Sequence, residues 1–415
     1  MKRGKRGLKE NRKGVKKGIE NTDAWKIADW EYSGMRAQDL MPLLHPPLVG
    51  QERIDCLKEI LSDCPEYYPA LFELGYRSIN DGKDKTGKRY MDKGFQSLKT
   101  HFSKKYLIDA YYDVCEFLEK AFRFEMAIEY YNQLMKIEGD KANVYDYISY
   151  CYVYLGDMDK AFEAEQKAID LSDLNHRFYC NMGWVEMLRG NLEAAKVMLE
   201  KSLELDPKSD VTKNNYEAYK LIRKSKRLKD WESYLLRKTD HKDLEKLEEE
   251  DDMEAYDEQV KRYNRDKIEA LTLEVARDPN YTPAHRHDIL FTLNYILDFI
   301  EGLHGSKFFF YDDIRTVRDY FKPIMHKFIF KTGDIDEEIF DDVYTSLLKF
   351  YKFLEEHKVV SEYKSLENKM VKLRPELMEK MLRYNEIRHN DDYTEEEKEE
   401  IRGELFEGDD AWPFL

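Results

Sequence analysis

The sequence has few of the residues that interrupt helices or cross-link chains. Its 415 residues include 11 prolines, 19 glycines and five cysteines. The cysteines are odd in number and form no CxxC pair, so we expect buried thiols in a reducing, cytoplasmic compartment rather than a disulfide framework. No apolar run approaches the roughly 18 residues that a bilayer span requires. We therefore expect a protein without a membrane segment.

Signatures of catalysis are also missing. The chain has no nucleophile elbow, no HExxH and no glycine-rich dinucleotide turn, and GLHGSKFF (302–309) lacks the spacing of a phosphate-binding loop. His285, His287 and Asp288 stand close together, but the two histidines point in different directions at a helix start and no second group completes a tetrahedral site. We expect no enzyme activity, no metal site and no cofactor.

Charge is plentiful and unevenly placed. The chain carries a net charge of −16, yet residues 1–17 hold nine lysines or arginines and one glutamate, a net +8, which leaves −24 for the rest. Acidic residues concentrate at 244–258 and 391–410. No hydrophobic stretch follows the basic arm, so the arm is not a secretory signal. A body of this sign repels nucleic acid and anionic membranes and attracts basic partners.

The middle of the chain repeats with a period of 34 residues. The stretch ANVYDYISYCYVYLGDMDKAFEAEQKAIDLSDLN (142–175) aligns with HRFYCNMGWVEMLRGNLEAAKVMLEKSLELDPKS (176–209), so that Gly156 matches Gly190. The segment 108–141 follows the same register. At this period the series resembles the tetratricopeptide repeat family, whose units are helical hairpins. The resemblance implies a right-handed helical solenoid with a concave groove.

Small residues at fixed positions explain how such hairpins would close. We expect Ala161 and Ala195 to let helix B press against helix A, where a larger side chain would overpack the contact. Gly156 and Gly190 are expected to end helix A in the left-handed conformation that glycine adopts without strain. Pro207 is expected to stop helix B.

The predicted fold class is all-α: a solenoid of the tetratricopeptide type over residues 50–236, then a long charged helix and a compact C-terminal helical bundle. The expected divisions are a basic, disordered arm (1–22), a half-repeat (50–67), a degenerate repeat (68–107), three repeats (108–141, 142–175 and 176–209), a capping helix (210–236), a charged helical linker (237–281), the bundle (282–388) and an acidic tail (389–415).

Two segments of the C-terminal half carry more detailed expectations. Residues 241–277 contain no proline or glycine, which predicts a long, largely solvated helix or a helix with a disordered acidic bulge at 248–258. Four amphipathic helices are expected in the bundle. The third covers 314–330, and the fourth covers 362–384 with a break near Pro375.

The family resemblance also implies which residues bind a partner. A set of helix A positions faces the groove in the family, and in this chain they are Asp109, Tyr112, Asp113, Glu116, Asn143, Asp146, Tyr147, Tyr150, Tyr154, Arg177, Asn181 and Trp184. The basic set with which chaperone-binding members clamp a C-terminal carboxylate is missing. We expect a basic or amphipathic protein segment with an aromatic or aliphatic anchor. Packing between helices is the other reading of the aromatic residues.

Two functions remain open at this stage. The first is a non-enzymatic adaptor or scaffold that binds proteins through the groove. The second is a nucleic-acid-associated factor that uses residues 2–17 and the C-terminal bundle, since residues 344–360 resemble the core-binding helical domain of tyrosine recombinases without their catalytic residues. The arm could instead be a solubilising terminus, or it could occupy an acidic wall of the groove. The oligomeric state is not indicated.

Overall fold

The chain is helical throughout the part that the structure describes. This computed structural model describes residues 18–40, 48, 50–303, 309–332 and 335–406. Within these ranges every regular element is a helix, so the all-α prediction is confirmed. Residues 1–17 of the predicted arm (1–22) and the last residues, 407–415, lie outside the described part of the chain, whereas Ile19–Asn21 forms a short 3-10 helix.

Backbone contacts divide the chain into two compact units. The first comprises residues 1–152 with 282–284, and the second comprises residues 153–281 with 285–415. The helices of the first unit are α1 (Asp23–Leu40), α2 (Gly50–Asp63), α3 (Tyr68–Asn80), α4 (Asp84–His101), α5 (Lys104–Lys120), α6 (Phe124–Glu138) and most of α7 (Ala142–Leu155). Consecutive helices pack as hairpins, α3 with α4 and α5 with α6.

Helix α1 is an element that the sequence analysis left unassigned. A buried arginine of α2 ties it to the repeats: Arg53, 1% exposed, donates to Asp39 of α1 at 2.8 Å and to Glu73 of α3 at 2.8 Å. The Trp25 ring of α1 packs 4.9 Å from Tyr67 at the start of α3. Because one guanidinium is shared by three helices, α1 belongs to the core of the first unit.

The turn that ends helix A repeats along the chain. Gly156 and Gly190 adopt φ values of +78° and +75°, which confirms the predicted left-handed turns. Gly82 occupies the same turn of the degenerate hairpin, and Phe122 occupies it in the repeat at 108–141, with φ values of +72° and +57°. The turn therefore follows the repeat register even where the residue is not glycine.

The second unit begins with the hairpin helices α8 (Met158–Leu171), α9 (His176–Leu188) and α10 (Leu192–Leu205). Ala161 and Ala195 are fully buried, as predicted. The two helices also approach closely at Gly183, where an added Cβ would lie 2.7 Å from the Leu199 side chain. Helix α10 ends two residues before Pro207, which agrees with the expected stop.

The remaining helices of the second unit continue from the repeats into the bundle. They are α11 (Asp210–Lys224), α12 (Trp231–Leu235), α13 (His241–Glu249), α14 (Met253–Arg277), α15 (Pro283–Leu303), α16 (Ile314–Asp319), α17 (Phe321–Thr332), α18 (Glu337–Glu356), α19 (Tyr363–Arg388) and α20 (Glu395–Leu405). Two expected single helices are thus double: 210–236 contains α11 and α12, and 314–330 contains α16 and α17.

The expectation for residues 241–277 needs correction. The segment is neither one continuous helix nor a helix with a disordered bulge, because α13 and α14 meet at a turn in which Asp251 has a φ of +56°. Asp252 then caps α14 by accepting from the Ala255 amide at 3.1 Å. One face of α14 is buried, and it includes Val260 and Leu271. Two aspartates, and not a glycine or a proline, make this helix boundary.

The predicted break near Pro375 is also wrong, because α19 runs without interruption through this residue. A proline inside a helix leaves the carbonyl four residues earlier without its backbone donor. That carbonyl belongs to Val371, whose side chain is 60% exposed. Water therefore reaches this face of α19 and can satisfy the group, so the helix continues.

A buried charge network holds α14 to the segment that follows α15. Lys267 is 0% exposed, and its ammonium lies 3.3 Å from a carboxylate oxygen of Asp312. Burial lowers the pKa of Lys267. Beside it, Arg237 donates to Asp266 at 2.6 Å and lies between the rings of Tyr234 and Tyr263. These charges are paired where water is excluded, so removal of one partner would be costly.

Candidate functional site

The predicted groove residues are divided between the two compact units. Eight of them lie on α5 and α7 in the first unit: Asp109, Tyr112, Asp113, Glu116, Asn143, Asp146, Tyr147 and Tyr150. We call these residues the α5–α7 face. The other four, Tyr154, Arg177, Asn181 and Trp184, lie in the second unit.

Carboxylates line the α5 side of this face. Asp109, Asp113 and Glu116 are exposed and follow one another at steps of four and three residues along the helix. Glu116 pairs with Lys120 at 2.8 Å, whereas no lysine or arginine among the described residues pairs with Asp109 or Asp113. Burial, together with the charges of Asp109 and Glu116, raises the pKa of Asp113. A cation placed here would relieve this repulsion.

Tyrosines connect α5 to α7 beside these carboxylates. The rings of Tyr112 and Tyr147 lie 6.5 Å apart, and Tyr147 stacks on Tyr131 of α6 at 5.6 Å. Burial raises the pKa of Tyr112 to about 12, and its hydroxyl donates to Glu138 at 3.4 Å. Tyr150 is 40% exposed. Two tyrosines therefore pack between helices, as the packing reading expects, while Tyr150 presents a ring to solvent.

Glu119 of α5 is a largely buried carboxyl group, which the sequence pattern did not indicate. Burial raises the pKa of Glu119 to about 7, although the Tyr131 hydroxyl donates to it at 2.8 Å and the Cys151 thiol lies 3.7 Å away. Asp146, predicted to face the groove, is only 4% exposed. Asp146 therefore contributes charge to the base of the face more than contact area.

In the second unit, α9 carries Arg177, Asn181 and Trp184. Arg177 is exposed, while Asn181 and Trp184 are half-buried. The short helix α12 packs against α9. Helix α12 of the same chain therefore covers part of the surface of α9. The 34-residue pattern did not predict this contact.

Tyr154 lines a cleft of about 800 Å³ between α14 and α15. We call it the acidic cleft, because its charged lining comprises two basic residues, Lys261 and Arg265, and six acidic ones, Glu254, Asp257, Glu258, Glu269, Asp298 and Glu301. Lys261 pairs with Asp257 at 2.5 Å. The cleft thus keeps an excess of negative charge.

Buried polar groups fix the walls of this cleft. The Asn264 amide donates to the Phe309 carbonyl and accepts from the Tyr311 amide, each at 2.9 Å. The Tyr311 hydroxyl donates to Glu301 at 2.9 Å and lies 3.1 Å from Asp298. On the opposite wall the Trp231 indole donates to Glu269 at 3.0 Å. Burial raises the pKa of Glu269. The lining is therefore held in place before any ligand arrives.

The histidines considered as metal ligands have other neighbours. His285 packs edge-on against Tyr281, and the His287 ring stacks on Phe291. Among the described residues, no group of three or more His, Cys, Asp and Glu side chains is arranged to hold a metal ion. Nor does any described helix combine the length and the apolar character needed to cross a bilayer.

Comparison with known proteins agrees with the repeat register. Residues 176–209 match the family model described as tetratricopeptide repeat. The chain contains a tetratricopeptide repeat. The matched residues coincide with the last of the three repeats predicted from the 34-residue period, and together with the helical hairpins they confirm a fold of the tetratricopeptide type.

Among solved structures, the chain is similar to the tetratricopeptide repeat domain of P58(IPK), at 13% identity and a TM-score of 0.23, over 86% of this chain and 88% of that one. A search of curated protein sequences finds no match. Helical repeats of this type generally serve as platforms for protein–protein interaction.

Proposed function

We propose that this protein is a non-enzymatic adaptor whose α5–α7 face binds a basic or amphipathic segment of a partner protein. The observation that carries the proposal is the pair Asp109 and Asp113, two exposed carboxylates that no described cation pairs with, on the same α5–α7 face as the partly exposed ring of Tyr150. A lysine or arginine would relieve the repulsion among the carboxylates. An apolar residue three or four positions away would contact the tyrosine.

The acidic cleft supports the same preference in the second unit. Its six acidic side chains outnumber its two basic ones, and its volume of about 800 Å³ accommodates side chains of a peptide. Tyr154 supplies an aromatic ring to the lining. A basic segment fits this cleft by charge, and an acidic one does not.

The proposal also covers the cellular compartment. All five cysteines are thiols rather than halves of disulfides, and four of them, Cys64, Cys115, Cys151 and Cys180, are buried. Cysteines that form no disulfide are typical of a reducing compartment. We place the protein in the cytoplasm on this ground.

A direct test uses a fluorescent peptide of alternating lysine and leucine with one phenylalanine, and a counterpart with glutamate for lysine. Fluorescence anisotropy with the full chain should show binding of the basic peptide alone. The variant Asp109→Asn/Asp113→Asn/Glu116→Gln should bind it about tenfold more weakly. The matched control Asp55→Asn/Glu59→Gln/Asp63→Asn changes three exposed acids of α2 and should bind as the unchanged chain does.

The outcome decides between the two functions raised by the sequence. Equal binding of both peptides, or equal loss in both triple variants, would contradict the adaptor proposal. A labelled single-stranded oligonucleotide provides the other arm. If it binds, and binding disappears on deletion of residues 2–17, the nucleic-acid function gains the support that the peptide lacks.

A further inference from the structure

Helix α4 carries a stripe of positive charge on an otherwise acidic protein. Lys85, Arg89 and Lys93 are exposed and follow one another at steps of four residues. No acidic side chain among the described residues pairs with them, whereas their neighbour Lys88 is held by Glu129 at 2.8 Å. No other described helix has lysine or arginine at three successive steps of four. We call these three residues the α4 stripe.

The stripe borders a shallow depression in the surface of α4. The depression has a volume of about 450 Å³ and is lined by the three stripe residues with Lys88, Asp92 and Gln96. Asp92 is already paired with Lys88 at 3.3 Å. The Arg89 guanidinium lies 5.7 Å from the centre of the Tyr90 ring. Charged ends on apolar stems let a partner gain both ion pairs and covered apolar surface.

Helix α20 carries the complementary pattern. Glu396, Glu400 and Glu404 are exposed at steps of four residues, and none of them pairs with a described cation. The other acids of this helix are engaged: Glu395 pairs with Lys398 at 3.0 Å, and Glu399 pairs with Arg402. Thr394 and Glu397 form a capping box that fixes the start of the helix. We call the three unpaired glutamates the α20 stripe.

A second acidic stripe, on α2, is a weaker candidate for binding the α4 stripe than the stripe on α20. Asp55, Glu59 and Asp63 of α2 have the same spacing and are exposed. Asp55, however, already accepts from Gln51 at 2.6 Å and pairs with Lys58 at 3.4 Å. Only α20 presents three unpaired carboxylates in this register among the described helices.

We propose that the α4 stripe of one copy of this chain binds the α20 stripe of a second copy. Four residues of α-helix rise by about 6 Å, so each cation of one stripe faces one carboxylate of the other along their common length. Exposed ion pairs contribute little individually and are screened by salt, so the association is weak and salt-dependent.

This interface joins different surfaces on the two copies, so each copy can bind two others. The assembly is finite if the copies close into a ring and open-ended if they do not. It goes beyond the proposed adaptor function, because neither stripe belongs to the α5–α7 face or to the acidic cleft. Loss of peptide binding therefore says nothing about self-association. The two proposals stand or fall separately.

Sedimentation velocity of the full chain tests the proposal at about 50 mM and about 500 mM salt. The mean mass should rise with protein concentration at low salt and stay at that of one chain at high salt. Lys85→Glu/Arg89→Glu/Lys93→Glu should remain monomeric at low salt, and so should Glu396→Lys/Glu400→Lys/Glu404→Lys. An equimolar mixture of the two variants should associate again, because each then offers the charge that the other lacks.

The α2 stripe supplies the matched control. Asp55→Lys/Glu59→Lys/Asp63→Lys makes the same change of charge and should associate as the unchanged chain does. Circular dichroism checks that each variant is folded, and a variant that is not folded is replaced by the one with glutamine at the same three positions. A wild-type chain that stays monomeric at low salt would overturn the proposal, and so would a mixture that does not associate. Oligonucleotide binding that α4 reversal abolishes in a monomeric chain would assign the stripe to nucleic acid instead.

Discussion

The hairpin α5–α6 and the hairpin α9–α10 reach the same turn by different chemistry. Gly190 ends α9 with a φ of +75°, and glycine adopts this conformation without strain. Phe122 ends α5 with a φ of +57°, where a side chain costs roughly 1–2 kcal/mol. Both hairpins have a left-handed residue at this position of the repeat. In the α5–α6 hairpin, contacts with neighbouring residues must therefore stabilise the strained conformation of Phe122.

Arg123, the next residue, stabilises the left-handed turn at Phe122. It is 4% exposed, and its guanidinium donates to the Ala121 carbonyl at 2.5 Å, to the Ile79 carbonyl at 2.6 Å and to Asp84 at 3.1 Å. The corresponding residue of the other hairpin, Asn191, bonds only locally, to Glu186 at 2.8 Å. A strained turn persists where its surroundings over-determine it, and a relaxed one needs no such support.

The largest difference between the two hairpins is expected when the Arg123 guanidinium is removed. Arg123→Met leaves two buried carbonyls and Asp84 without their donor, so we expect the free energy of unfolding to fall by about 3 kcal/mol. Urea unfolding followed by circular dichroism measures it. Asn191→Ala, the control in the relaxed hairpin, should cost about 1 kcal/mol. Equal losses of unfolding free energy at the two positions would show that the turn at Phe122 does not depend on Arg123.

The second prediction concerns the contact between helices A and B. Gly183→Val places a Cβ about where Leu199 already lies, and we expect a loss of roughly 2 kcal/mol. Cys115 occupies the aligned position in the first hairpin, with its thiol 3.7 Å from the Ala127 carbonyl. Cys115→Ala should therefore cost less than Gly183→Val in the same measurement. Strictly additive losses in Gly183→Val/Leu199→Ala would contradict a direct clash.

The third prediction uses pH. The folded pKa of Glu119 is raised to about 7 from 4.5, so its ionisation weakens the folded state as pH rises through this window. Glu119→Gln should raise the free energy of unfolding by on the order of 2 kcal/mol at pH 8 and leave it nearly unchanged at pH 4. The exposed Glu116→Gln should change it by less than about 0.5 kcal/mol at either pH. A gain that is equal at both pH values would rule out ionisation as the cause.

The smallest expected effect sharpens the role of glycine in the relaxed turn. Gly190→Ala puts a Cβ on a left-handed residue and should lower the free energy of unfolding by about 1 kcal/mol. Gly34→Ala is the matched control, since Gly34 lies inside α1 with no atom near its missing Cβ. That substitution should raise stability by about 0.5–1 kcal/mol. A gain at both positions would mean that Gly190 is not constrained.

Local periodicity was enough to predict the hairpins and their turns. The prediction of left-handed turns covered Gly156 and Gly190, and both are confirmed. Phe122 lies at the same position of the 34-residue register, but its residue type gave no sign of a turn. The turn at Asp251 had no such signal, because acidic residues are common on solvated helix faces. Pro375 carried a local signal that the environment overrode. Helix α1 lacks a repeat partner, so its role appeared only through Arg53.

The candidate site divides in the same way. The family resemblance implied that Asp109 and Asp113 face a groove, and in the structure both are exposed on α5. It could not predict the acidic cleft, whose walls bring together residues such as Glu258 and Asp298 from two different helices. It also missed α12 beside α9. Both features depend on long-range packing, which a one-dimensional pattern does not encode.

Lys267 has a consequence for how the protein can be divided. Its ammonium has no access to water and depends on Asp312, so the stretch before it cannot reach its final structure until the chain beyond α15 has been made. A fragment that stops at residue 281 would contain all of α14 but no carboxylate from Asp312 to balance this charge. We expect a protease to cleave such a fragment within α14. A fragment that extends through the bundle should resist cleavage there.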